Sequence, residues 1–321
     1  MGGRRIAHLA PALLAGCLVM AAGDAAPARD GAAIVTETAE APAQRDRLGE
    51  RLAERWSGRR QEPDARLVIA GRTVLLWRPG ATTVGKVPLI LFSHGLQGCA
   101  SQSTFLTVAL ARHGYVVAAP NHQDAYCAGG GTGQVRAQPE ERLPDIKARN
   151  AATYRERPDD LKAVLDGLKA DAGWSALIDW SRIGLMGYSL GGYTALAAAG
   201  ARPGWRLPGV KAVLALAPYC APFADRGDLA HLGVPVMYQG GTFDGMTSLV
   251  KRPGGCYDKT GAPAYFVEFA GAEHPAWTDL AVDHQESIVF YSVAFFDKVV
   301  KGTGGEGLGE KRDDVTELWS K

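Results

Sequence analysis

Residues 87–95, VPLILFSHG, begin with a continuous apolar run, and this run limits the possible folds more than any other feature of the chain. A strand with one face in water alternates apolar and polar residues, whereas a strand covered on both faces stays apolar throughout. Similar runs recur in five later segments, at 115–122, 182–188, 210–218, 234–241 and 264–271. These segments predict the buried strands of one sheet.

Segments with helical periodicity lie between or after these strands, at 103–114, 157–171, 191–200 and 285–302. Such alternation is typical of a mostly parallel sheet with helices on both faces. A hairpin is predicted over 66–79, turning near Gly71, and a polar loop over 121–153. We therefore predict one α/β domain over 63–302 without a large lid domain, followed by a polar C-terminal tail over 303–321.

The first 28 residues have the features of an export signal. Arg4 and Arg5 precede an apolar run from about Ile6 to Met20, and small residues follow. The run is shorter than the roughly 20 apolar residues of a membrane span. Cleavage near Ala28 is one prediction. The alternative is a bacterial lipoprotein box ending at Cys17, whose lipid would be the only expected membrane tether. Both predict an exported protein, periplasmic or secreted.

Residues 29–62, rich in Ala, Arg and Glu, are predicted to be a linker or a loosely docked helix. The formal net charge of +1 gives no reason to expect a nucleic-acid partner. No HExxH, CxxC or spaced carboxylate cluster is present, so no metal or other cofactor is expected. The GGGTG of 129–133 lacks the flanking strand and helix of a phosphate loop.

Four cysteines follow Cys17, and their usage bears on the compartment: Cys99, Cys127, Cys220 and Cys256. Four cysteines allow three disulfide pairings. Chain order favours Cys99–Cys127 and Cys220–Cys256, which an oxidising compartment would permit. Four buried free thiols are the alternative.

A G-x-S-x-G box at 187–191 lies directly between an apolar strand and a helix. This setting is that of a nucleophile elbow, in which a tight turn raises the serine above the sheet. The flanking glycines are needed because a side chain would strike the neighbouring strand or helix. Ser189 is therefore the predicted nucleophile. The alternative is a glycine-rich turn that contains an incidental serine.

A serine hydroxyl needs a base to remove its proton. In folds with this order of strands and helices, an acidic residue and then a histidine follow the serine along the chain. Only three histidines lie downstream: His231, His274 and His284. His274 comes directly after the last predicted strand, where a loop can reach back over the sheet. His231 precedes a strand and His284 begins the closing helix, so His274 is the predicted base.

The predicted acid is Asp244, which follows the strand PVMYQ and would orient the histidine ring. Asp258, Asp279 and Asp283 are alternatives that are more simply interpreted as loop charges. The oxyanion of a tetrahedral intermediate needs two N–H donors. We predict that the backbone N–H groups of Leu96 and Leu190 are these two donors.

Two histidines upstream of the serine end predicted strands. His94 is predicted to brace the loop before Leu96, and His122 to hold the long loop, with substrate contact as a lesser alternative for His122.

Residues 91–124, LFSHGLQGCASQSTFLTVALARHGYVVAAPNHQD, together with the serine box and the histidine loop, resemble the α/β-hydrolases. Within that superfamily they resemble the branch of the platelet-activating factor acetylhydrolases and dienelactone hydrolases, which includes bacterial cutinase-like polyester hydrolases. The resemblance spans roughly 66–301 and implies an α/β-hydrolase fold with ester-hydrolase activity.

The chain departs from that branch at three positions. The acetylhydrolase acid follows the strand after the nucleophile helix, but here that strand ends LALAPYCAPF, and Asp244 resembles the arrangement of the dienelactone hydrolases and cutinases. The dienelactone hydrolases use cysteine where Ser189 stands. The cutinase-like enzymes carry an aromatic residue where Leu96 stands, although Tyr188, Phe243 and Trp277 could line an apolar cleft.

These features predict an exported serine carboxylic-ester hydrolase that acts through an acyl-enzyme. Its expected substrate is a small-molecule or polymeric ester: short-chain, lipid-like or polyester. A serine peptidase or amidase of the same fold is one alternative. A non-catalytic envelope lipoprotein is the other.

Overall fold

The computed structural model describes residues 61–80, 83–125 and 154–321. Several predicted features lie outside these ranges: the signal at 1–28 with Cys17, almost all of the linker at 29–62, Cys127, and most of the loop at 121–153.

One sheet organises the described residues. Its strands are β1 (Ala65–Ile69), β2 (Arg72–Trp77), β3 (Val87–Ser93), β4 (Val116–Pro120), β5 (Ile178–Tyr188), β6 (Val210–Leu216), β7 (Val236–Gly241), β8 (Ala264–Phe269) and β9 (Val315–Ser320). Their order across the sheet is β1-β2-β4-β3-β5-β6-β7-β8-β9. The pairs from β4 to β8 are parallel, whereas β1–β2, β2–β4 and β8–β9 are antiparallel. The predicted mostly parallel sheet is confirmed.

Helices connect the strands. They are α1 (Thr104–Arg112), α2 (Glu156–Ala170), α3 (Ala172–Leu177), α4 (Leu190–Leu196), α5 (Ala221–Ala224), α6 (Gly245–Lys251), α7 (Cys256–Lys259) and α8 (Gln285–Phe296). A π-helical turn continues α4 over Ala197–Ala201, and another continues α8 over Asp297–Lys301. Within the described ranges, no helix is both long and apolar enough to span a bilayer, and no insertion forms a lid domain.

The apolar run of β3 is buried along its whole length because helices cover both faces of the sheet. Leu89 and Leu91 pack in the layer that contains α2 and α4. Ile90 and Phe92 point to the opposite layer, which contains α1 and α8. Burying each such side chain contributes about 1.5–3 kcal/mol. The parallel strands thereby end at one edge of a rigid sheet, where ligand sites form in folds of this kind.

The C-terminal segment adds the last strand, so the predicted polar tail is wrong for residues 315–320. Strand β9 pairs with the edge of β8, and the Trp319 ring lies 4.8 Å from that of Phe266, centroid to centroid. A short edge strand is held mainly by backbone hydrogen bonds, which leave little trace in composition.

One of the two predicted disulfides can be compared with the structure. Cys220 and Cys256 form the predicted disulfide, and both residues are fully buried. Cys99 is also disulfide-bonded. Cys127, its predicted partner, lies outside the described residues.

Candidate active site

Ser189 lies at the junction of β5 and α4 in a strained backbone conformation, with φ 54° and ψ −115°. A non-glycine residue adopts a positive φ only where the surroundings impose it, and such strain concentrates at functional sites. The backbone N–H of Ser189 donates to the carbonyl of Leu216 at 2.9 Å, which ties the turn to β6. The side chain of Ser189 is half-buried and therefore accessible.

The two outer glycines of the box have no room for a side chain. A Cβ on Gly187 would lie 2.0 Å from the carbonyl oxygen of Gly191. A Cβ on Gly191 would lie 1.9 Å from the carbonyl oxygen of Ser93 at the end of β3. The helix α4 can therefore begin directly against the sheet only because these positions are glycine.

Two side chains from later loops form a series of hydrogen bonds that ends at Ser189. Nε2 of His274 lies 3.0 Å from Oγ of Ser189, and Nδ1 of His274 lies 3.0 Å from Oδ2 of Asp244. A carboxylate can only accept, so Nδ1 carries the proton and Nε2 is left to accept the serine proton. The structure thus joins the predicted nucleophile, base and acid in one chain of hydrogen bonds.

Asp244 is buried and doubly held. It follows β7 and caps α6, with Oδ1 accepting the N–H of Met246 at 2.9 Å while Oδ2 faces the histidine. Its loop is also bonded to the histidine loop, since the N–H of Phe243 donates to the carbonyl of Ala272 at 3.1 Å. This backbone link keeps the carboxylate and the imidazole at a fixed separation.

Tyr188 supports His274 from the sheet side. Its hydroxyl donates to the backbone carbonyl of His274 at 2.9 Å, and the two rings lie 5.0 Å apart. Burial raises the pKa of this phenol, and the charge of Asp244 raises it further. Tyr188 is therefore a neutral hydrogen-bond donor beneath the histidine.

The two predicted oxyanion donors lie on different elements. Leu190 is the first residue of α4, where an N–H has no partner inside the helix. Leu96 belongs to the loop of residues 94–97 after β3, which we name the oxyanion loop after this prediction. Neither N–H donates a hydrogen bond to another described residue. Their role as oxyanion donors stays a prediction.

The predicted cleft residues lie in different environments. Phe243 is 73% exposed beside the acid, whereas Tyr188 is buried. Leu96, on the oxyanion loop, is 39% exposed. Trp277 is fully buried instead, and its indole N–H donates to Oε1 of Gln239 at 3.1 Å. The prediction that Trp277 lines a cleft is wrong, because its polar atom finds its partner within the core.

The alternative acids have other roles. Asp279 caps α1, accepting the N–H groups of Thr104 and Phe105 at 3.0 and 3.1 Å. Asp258 accepts the N–H of Gly254 at 2.9 Å, and Asp283 is exposed.

The remaining histidines downstream of Ser189 also lie away from it. His231 is exposed ahead of β7. Nδ1 of His284 lies 3.2 Å from Oδ2 of Asp314.

A buried polar network lies beneath the oxyanion loop, and little in the residue pattern indicates it. Nδ1 of His122 lies 2.9 Å from Oδ2 of Asp160, and its Nε2 lies 2.9 Å from Oγ of Ser93. The N–H of His122 donates to Nε2 of His94 at 3.0 Å. The two histidines thus brace the end of β3. Only their placement after strands pointed to this role.

Arg157 supplies the charge in this network. Its guanidinium is fully buried and lies 2.7 Å from Oδ2 of Asp124. Burial lowers the pKa of His94 and of His122 well below the usual value, and the charge of Arg157 lowers both further. Burial acts to raise the pKa of Asp124, but Arg157 outweighs it and holds that pKa below its usual range. Both histidines are therefore neutral at pH 7.

Stability should consequently fall in acid. Below pH 6.5 the unfolded chain protonates these histidines while the folded chain does not, so the free energy of unfolding decreases as pH falls. Each histidine contributes a loss of about 1.4 kcal/mol between pH 7.5 and 5.5. In His122→Gln, the decrease in the free energy of unfolding between these two pH values should be smaller by that amount, as measured by urea unfolding at both. His231→Gln, at an exposed position, should leave the loss unchanged. An unaltered loss in His122→Gln would contradict this account.

Within 61–80, 83–125 and 154–321, no group of three or more His, Cys, Asp or Glu side chains is placed to hold a metal ion.

Comparison with known proteins adds one match. The family model for platelet-activating factor acetylhydrolase, isoform II, matches residues 72–162, which run from β2 into α2 and include the oxyanion loop. No curated protein matches the chain. The sheet order and the strained serine are those of the α/β-hydrolase fold. The chain is therefore a protein of the α/β-hydrolase fold that is similar, over residues 72–162, to the platelet-activating factor acetylhydrolases.

Proposed function

We propose that this protein is a serine carboxylic-ester hydrolase that works through an acyl-enzyme. The observation that carries the proposal is the hydrogen-bonded series from Asp244 through His274 to Ser189, with both heavy-atom distances at 3.0 Å. The partial match to an acetylhydrolase family supports the ester-hydrolase class.

In this mechanism, His274 Nε2 takes the proton of the Ser189 hydroxyl while Oγ attacks the ester carbonyl carbon. The carbonyl oxygen becomes an oxyanion, which the N–H groups of Leu96 and Leu190 stabilise. Asp244 stabilises the imidazolium that forms. His274 then gives its proton to the departing alcohol as the tetrahedral intermediate collapses, leaving an acyl group on Oγ. Water, deprotonated by the same histidine, releases the acid and restores the serine.

We propose that the substrate is an ester, either a small molecule or an extended chain, that binds at an open site. His274 is 38% exposed on its side chain, and the apolar side chains of Phe243 and Leu96 are exposed on two different loops. An accessible, partly apolar site suits short-chain, lipid-like or polyester substrates better than a charged ligand.

We also propose that the protein is exported, either with a cleaved signal or with a lipid on Cys17. Disulfides persist in oxidising compartments. The Cys220–Cys256 bond and the bonded state of Cys99 support that location.

The test is a matched pair of substrates with the same acyl group: p-nitrophenyl butyrate and butyryl p-nitroanilide. We expect the ester to be hydrolysed at least 100-fold faster, and a fluorophosphonate to label the peptide that contains Ser189. A series from acetyl to palmitoyl esters then measures the acyl pocket. A peak at acetyl or butyryl indicates a small pocket, and a broad profile indicates an open groove. Faster anilide cleavage would favour the amidase alternative, and no labelling would contradict the enzyme proposal.

A further inference from the structure

The peptide unit between Gly95 and Leu96 holds the N–H that the proposed mechanism aims at the oxyanion. A trans peptide is planar, so its C=O and N–H point in opposite directions. Whatever fixes the carbonyl oxygen of Gly95 therefore also fixes the direction of the Leu96 N–H. Two donors hold that oxygen: Nη2 of Arg157 at 3.1 Å and Nδ1 of His94 at 2.7 Å.

The His94 contact is fixed by its neighbour. The backbone N–H of His122 donates to Nε2 of His94 at 3.0 Å, so Nε2 must be the unprotonated nitrogen. Nδ1 then carries the proton and donates to the carbonyl of Gly95. One carbonyl oxygen accepts from a neutral imidazole and from a guanidinium, which uses both of its lone pairs.

Arg157 reaches the loop from α2, on the layer beneath it. Its Nη1 donates to the carbonyl of His94 at 2.8 Å while Nη2 donates to that of Gly95. Nη2 also contacts both carboxylate oxygens of Asp124, at 2.8 and 2.7 Å. The planar fork of a guanidinium can hold two successive carbonyls in one orientation, which a lysine ammonium cannot reproduce.

We propose that Arg157 is a positioning residue for the oxyanion hole, acting through the Gly95–Leu96 peptide unit; this inference rests on the proposed function. The fork sets the direction of the Leu96 N–H before substrate arrives. Its positive charge on the carbonyl side also polarises the peptide, which strengthens the N–H as a donor. The expected effect is on the tetrahedral intermediate and not on substrate binding.

The test compares Arg157→Lys with Arg155→Lys in the full chain, using p-nitrophenyl butyrate. Arg157→Lys keeps the charge beside Asp124, and we expect kcat to fall on the order of 30-fold with KM within about twofold, since loss of an oxyanion donor lowers kcat by 10²–10³. Affinity for an alkyl trifluoromethyl ketone, whose adduct carries an oxyanion, should fall by a similar factor. Arg155→Lys, at an exposed arginine on the turn before α2, should change neither.

A second variant separates positioning from the ion pair. Asp124→Asn removes the negative charge but keeps a side-chain oxygen that can accept the N–H of Gln97, as Oδ2 of Asp124 does at 3.0 Å. Both carbonyl contacts of Arg157 also remain, so kcat should change less than fivefold even where the melting temperature falls. An unchanged kcat in Arg157→Lys, or an equal kcat loss in both variants, would overturn the inference. Ser189→Ala is run in parallel: if it stays active the proposed function fails and this inference with it. If Ser189→Ala is inactive and Arg157→Lys is unimpaired, the inference alone fails.

Discussion

Ser189→Ala should lower kcat/KM for p-nitrophenyl butyrate by about 10⁵-fold, because no other group can accept the acyl chain at the elbow. The loss of one hydroxyl removes little buried surface, so the melting temperature should stay within about 2 °C. Steady-state hydrolysis and thermal unfolding monitored by circular dichroism measure the two quantities on the same preparation.

The matched control for this substitution is Ser181→Ala. Ser181 lies on the same strand β5 but is exposed, and its hydroxyl donates to Asp179 at 2.6 Å. The control should keep full activity. Turnover by Ser189→Ala above one-hundredth of the unmodified protein would remove the serine from the mechanism.

Asp244→Asn should lower kcat by about 10³- to 10⁴-fold while the shape of the site is kept. The side-chain amide can donate to Nδ1 of His274, which would move the imidazole proton to Nε2. That nitrogen then faces the Ser189 hydroxyl as a donor and cannot take its proton. The pre-steady-state burst of p-nitrophenol from an activated ester, which reports acylation, should slow in parallel.

Two further substitutions separate Asp244 from its rivals. Asp283→Asn, at an exposed position, should leave both kcat and stability unchanged. Asp279→Asn weakens the cap of α1 and should lower the free energy of unfolding by about 1 kcal/mol, with kcat kept within a few-fold. A kcat loss in Asp279→Asn as large as that in Asp244→Asn would show that the acid had been misassigned.

The central sheet was predictable because its strands are buried on both faces, and the run at 87–95 shows that burial residue by residue. The edge was not. Strand β9 has no buried residue after Val315, and its pairing depends on the open edge of β8. The short helices α5, α6 and α7 were also missed. Four to seven residues are too few to show a helical period.

The three residues that the structure joins at the elbow could each be proposed from position in the chain. Ser189 has a box with a strand before it and a helix after it, and His274 and Asp244 each follow a strand. Their catalytic roles remain predictions. Arg157 could not be found this way, because its partner Asp124 lies 33 residues earlier and neither sits in a motif. Contacts between distant buried charges depend on how layers pack, which a periodic pattern does not encode.

The Cys220–Cys256 disulfide restricts local opening of the site, that is, opening that does not require the whole protein to unfold. Cys220 follows Tyr219, whose N–H donates to the carbonyl of Ser189 at 3.0 Å. Cys256 lies in the same connection between β7 and β8 that holds Asp244. Surface connections made of short helices are the segments that fluctuate open at the lowest free energy. Because the disulfide links this connection covalently to the chain beside the serine, the connection stays close to that chain when it opens. We therefore expect the segments that carry the acid and the nucleophile to open as one cooperative unit, with similar free energies of opening for their backbone amide hydrogens in hydrogen exchange.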